Sequence, residues 1–113
     1  MTITRKEVIT KIHVEISREE FVDNYTAMMF DIYNKRRVNT RVLTEKVVKF
    51  CESSTEVQNQ MAQDSFTSLF GEIHSATLRY IAESNGLSIE NYGFVNRHTG
   101  MIECTMVQNG AHL

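Results

Sequence analysis

The sequence predicts an α+β domain in the order β-α-α-α-β-β, a small antiparallel sheet formed by an N-terminal strand and a C-terminal hairpin and packed against helices. Three observations lead there. Apolar and polar residues alternate near the N-terminus, apolar residues recur at spacings of three and four through the middle, and alternation returns near the C-terminus. Helix-start and helix-stop residues punctuate the middle stretch. The chain has 113 residues, 42% of them hydrophobic and 23% charged, which suits one soluble globular domain over 1–113. It contains no proline and no Gly/Ser-rich linker, so nothing marks an internal boundary.

The first strand is read from Ile12, Val14 and Ile16, which alternate with Lys11, His13 and Glu15. It stops at Ser17, where Ser17-Arg18-Glu19-Glu20 matches a capping box. The helix that follows places Phe21, Val22, Tyr25, Met28, Met29, Ile32 and Tyr33 on one stripe and ends near Lys35. Methionines beside tyrosines can also make an adaptable binding surface, but this spacing favours core. A second helix begins after Asn39 or at Thr44, with Leu43, Val47, Phe50 and Cys51 on one face. Ser53-Ser54-Thr55-Glu56 is a second capping-box match and opens a long third helix through Val57, Met61, Phe66, Leu69, Phe70, Ile73, Tyr80 and Ile81. Asn85-Gly86 ends that helix, because glycine supplies the left-handed C′ residue, and Leu87 packs back against it. Tyr92–Val95 and Met101–Val107 then read as strands around the turn Asn96–Gly100, with Ile102, Cys104 and Met106 sharing a face.

The net charge of −2 hides two opposed blocks. Residues 35–49 carry Lys35, Arg36, Arg37, Arg41, Lys46 and Lys49 against Glu45 alone. Residues 50–91 carry Arg79 against Glu52, Glu56, Asp64, Glu72, Glu83 and Glu90. The helix macrodipole accounts for Lys35 and Arg36 at a helix C-terminus, but not for Arg41 and Lys46 beyond it. The six cations are therefore a candidate macromolecule-binding patch. The two blocks can pair within the fold or between copies, where they would set orientation and association rate.

Nucleic-acid binding, with Arg36, Arg37 and Arg41 on phosphates, is the alternative. Gln58, Asn59, Gln60 and Gln63 offer the amides that a reading helix uses. Against it, the turn between the two short helices lacks glycine, Glu56 and Asp64 would repel phosphates, and the isoelectric point is near 6.1.

Catalytic signatures are missing from the sequence. There is no GxxxxGK[ST], GxGxxG, HExxH or GxSxG motif. Cys51 and Cys104 form no CxxC pair, and His13, His74, His98 and His112 lie far apart. The parity of Cys104 makes it core, and the position of His74 beside Ile73 suits a partly buried, hydrogen-bonded imidazole. His13 and Glu15 share a strand face and could pair or hold a metal, though a solvated face is the simpler account. A distant third reading is a small-ligand binder or enzyme using the hairpin around His98, Glu103 and Cys104.

No signal-peptide pattern and no run of about 20 apolar residues is present, so a cytoplasmic protein is expected, away from membranes. The three helices carry more large apolar residues than a three-stranded sheet covers, and the third has an apolar face wider than one contact needs. Phe66, Leu69, Phe70 and Ile73 are thus a candidate self-association face for a homodimer. The leading expectation is a non-enzymatic regulatory or interaction protein, an adaptor or inhibitor without cofactor or metal. It would act by binding another macromolecule, a protein in the first instance.

Overall fold

Strand β2 (Lys11–Ile16) lies at the centre of the architecture because its apolar side has nowhere else to go. Ile12, Val14 and Ile16 are all buried. In this computed structural model, which describes residues 1–6, 11–35, 41–68 and 71–108, β2 pairs antiparallel with β4 (Ile102–Gln108), from Lys11↔Val107 to Ile16↔Ile102. That register puts Ile102, Cys104 and Met106 on the same inner face. Strand β1 (Thr2–Lys6) pairs with the other edge of β2, and β3 (Leu87–Val95) pairs with β4. The sheet is four-stranded and antiparallel, ordered β1-β2-β4-β3.

Four helices connect the two halves of the sheet: α1 (Arg18–Lys35), α2 (Arg41–Cys51), α3 (Thr55–Thr67) and α4 (Glu72–Ser84). The α+β class and the helix-covered sheet follow the sequence reading, but two elements correct it, giving β-β-α-α-α-α-β-β. One is β1, a five-residue edge strand whose pairing shifts between Ile3 and Arg5. The other is the long third helix, which is two helices. Helix α3 stops at Thr67, and α4 begins after Gly71, which is extended at φ −74°, ψ 142°. Thr67, Ser68 and Gly71 are weak helix formers close together, and Ser68 and Gly71 turn the chain through bonds to the Ser65 and Ser68 carbonyls.

Other local signals hold in part: the Glu20 carboxylate, expected to reach back to Ser17, pairs with the N-terminal amine of Met1. Ser17 Oγ accepts from the Glu20 amide at 3.1 Å. The cap of α3 is Ser54 rather than Ser53, accepting from the Val57 amide at 3.3 Å. Gly86 is left-handed at φ +72°, and Leu87 behind it is buried. The hairpin turn closes with Asn96 N–H to the Met101 carbonyl at 2.8 Å and Gly100 N–H to the Asn96 carbonyl at 2.7 Å.

The core is aromatic at its centre. Phe21 meets Tyr25, Phe66 and His74 at ring separations of 6.3, 5.4 and 5.1 Å, and Tyr25 meets Phe50 at 5.3 Å. Burial of each phenylalanine stabilises the fold by roughly 1.5–3 kcal/mol. Helix α1 is the hub that packs on α2, α3 and α4, while α4 also packs on β3. Among the described residues, no helix is long and apolar enough to cross a membrane.

Candidate functional site

Breaking the third helix in two opens a cleft of about 300 Å³ between α2 and the α3–α4 junction. One wall is α2. Val47 and Phe50 turn inward to the core, which leaves Lys46 and Lys49, three residues apart, on the cleft side and exposed. The opposite wall carries Asp64 from α3 and Glu72 from the first turn of α4, both exposed. Tyr25, Met61 and Ile73 supply the less polar lining, and Ser65, Ser68 and His74 the neutral polar groups.

Charges of both signs line the cleft. Among the described residues, no ion pair joins Lys46 or Lys49 to any carboxylate. Asp64 accepts a hydrogen bond from Gln60 Nε2 at 2.8 Å and remains on the opposite wall. The start of α4 adds polarity. Gly71 offers no capping side chain, and the amides of Glu72, Ile73 and His74 have no acceptor among the described residues.

His74 is 1% exposed, and its Nδ1 lies 2.8 Å from the Ser65 carbonyl oxygen. A carbonyl only accepts, so Nδ1 carries the proton and the neutral ring keeps its lone pair on Nε2. Burial lowers the His74 pKa from its ordinary 6.5, and the bond to Ser65 only partly opposes that. The Tyr25 hydroxyl is pushed up to about 12, first by burial and then by the negative charge of Asp64.

Three of the six residues of the sequence-predicted patch, Lys35, Lys46 and Lys49, can be placed with their side chains. Lys35 ends α1 and is paired with Asp31, one turn back, at 2.8 Å. Arg36 and Arg37 lie outside the described residues, and Arg41 is the first residue of α2. Lys46 and Lys49 are the members brought to the cleft.

Two of the four residues of the expected self-association face can be placed. Phe66, 1% exposed, and Ile73, 8% exposed, are core residues of the single chain, and Leu69 and Phe70 lie outside the described residues. Phe66 turns inward from α3 onto Phe21, which a continuous helix read from spacing alone could not reveal.

Other cavities carry less. In a larger groove between α1 and α4, Asp31 is paired with Lys35 and Arg79 donates to the Tyr92 hydroxyl at 2.9 Å, which leaves Glu83 as its other charged group. On the uncovered face of the sheet, His13 Nε2 sits 3.0 Å from Glu103 Oε1, not against Glu15, and Asn96 Nδ2 donates to the other Glu103 oxygen. His98 is exposed at the hairpin tip, and Cys104 is buried, its thiol pushed up to about 12 by burial. Among the described residues, no group of three or more His, Cys, Asp or Glu side chains is placed to hold a metal ion. Comparison with protein-family models, with curated proteins and with solved structures gives no match to the chain.

The cleft was illegible in the sequence because it exists only where α3 and α4 part. The available signal was Ser68 followed by Gly71, a low-propensity interruption inside an otherwise periodic segment.

Proposed function

We propose that the protein is a small non-enzymatic interaction protein, an adaptor or inhibitor of the cytoplasm. It acts by binding another protein through the cleft between α2 and the α3–α4 junction. The observation that carries this reading is the pair of opposed walls, Lys46 and Lys49 facing Asp64 and Glu72, with no ion pair joining them among the described residues. Exposed charges of both signs on a concave surface cost little in the free protein. They orient an incoming surface of matching pattern and raise its association rate. A phosphate backbone suits the site less well, since any strand drawn to the lysines would lie against two carboxylates.

The test is affinity capture from a nuclease-treated extract with wild-type protein and with K46E/K49E, beside anisotropy titrations of labelled DNA and RNA at low salt. A protein retained by the wild type and lost by the variant, with both nucleic acids inert, is the expected outcome. Tight, salt-sensitive nucleic-acid binding that vanishes in K46E/K49E would replace this reading with a phosphate-binding one.

A further inference from the structure

The charge pattern of the cleft is complementary to itself. A half-turn about an axis through its mouth lays the α2 side of one molecule over the acidic wall of a second. The same rotation lays the second molecule's α2 over the acidic wall of the first. Two-fold contacts of this kind use one surface patch twice, so a patch with separated positive and negative halves satisfies both sides at once. We infer that a second copy of this chain docks on the cleft as an isologous dimer, with Lys46 and Lys49 of each protomer set against Asp64 and Glu72 of the other. The inference rests on reading the cleft as a protein-docking face and names the partner that fits it.

Three features argue for this occupant. Lysine stems are long enough to cross a shallow groove while their methylenes cover its apolar lining. Val57, 45% exposed and outside the cleft lining, lies one turn before Met61 on the same side of α3, so a second copy seated on the cleft can cover apolar surface there as well. An unrelated partner must carry both signs at the right separation, whereas a second copy has them by construction.

Sedimentation velocity over a series of protein concentrations at low and moderate salt tests it. The variants are K46E/K49E, which makes the cleft wholly acidic, and D64K/E72K, which makes it wholly basic. All four side chains are exposed, so both variants should fold, and a melting curve verifies that. Wild type is expected to self-associate, less at the higher salt. Each variant alone should self-associate at least about tenfold more weakly, and the equimolar mixture should pair at least as tightly as wild type.

A wild type that stays monomeric at every concentration overturns the inference. So does a mixture that pairs no better than either variant alone. If wild type is monomeric yet K46E/K49E still loses a captured protein, the docking face stands and only self-pairing falls. If neither property responds to the reversals, both fall.

Discussion

Replacing Gly93 by alanine, beside the same change at Gly86, separates the cost of a left-handed residue from the cost of a blocked one. Both glycines have positive φ, +75° and +72°. At Gly86 an added Cβ meets nothing within 4 Å, so Gly86→Ala should cost about 1–2 kcal/mol from the backbone conformation alone. At Gly93 the same atom would stand 1.6 Å from the Glu103 carbonyl oxygen and 2.7 Å from its carbon. Restoring ordinary contact needs β3 and β4 to part by about 2 Å at that point. The strain falls where the register already shifts between Asn91 and Phe94. Giving up roughly two ladder hydrogen bonds, at about 1 kcal/mol each, brings Gly93→Ala to about 3–4 kcal/mol. Against a total of about 5–15 kcal/mol, that is a large share of the fold's stability. Thermal and urea melts followed by circular dichroism should show Gly86→Ala lower by about 5 °C and Gly93→Ala lower by about 15 °C. Equal losses would show that the close approach of β3 to β4 is not real.

Phe66→Ala should destabilise by about 3–5 kcal/mol, since it empties the space under Phe21 and removes the ring beneath the Arg18 guanidinium, 4.4 Å away. Urea unfolding measures the loss, and because Phe66 is buried in the single chain, no change in association is expected beyond that caused by unfolding. Because burial lowers the folded His74 pKa below its ordinary 6.5, the unfolded chain takes the proton first, so stability present above 6.5 is lost as pH falls further. The melting temperature should drop between pH 7 and pH 5, and His74→Phe should flatten that dependence. At the alkaline end, Cys104 and Tyr25 are both held up to about 12 from 9.0 and 10.0, so the unfolded state ionises first and stability falls as pH rises past 9. Cys104 should react with a thiol reagent only as fast as the protein unfolds.

Much of this architecture was written in short-range pattern. The alternation at Ile12, Val14 and Ile16 and the parity of Ile102, Cys104 and Met106 identify the two central strands, and their pairing follows from burying both apolar sides together. The cap at Ser17 and the stop at Gly86 are each satisfied by residues within four positions, so a local reading finds them. Strand β1 was not visible, because an edge strand is held by its neighbour's backbone more than by its own pattern. The α3–α4 break was missed because periodicity runs on through Phe66 and Ile73 on either side of it. The basic segment was legible as composition, but its division into an end-paired Lys35 and a cleft-lining Lys46 and Lys49 depends on how α2 packs.

The most direct measurement is amide hydrogen exchange in dilute protein and again under conditions that fill the cleft, either concentrated protein or a captured partner. The amides of Glu72, Ile73 and His74, residues that line the cleft, have no acceptor among the described residues, so they should exchange quickly in the dilute state. The account predicts that they slow on binding, together with the segment of α2 around Lys46 and Lys49. Unchanged exchange there, with new protection confined to the uncovered face of the sheet around His13 and Phe94, would contradict it.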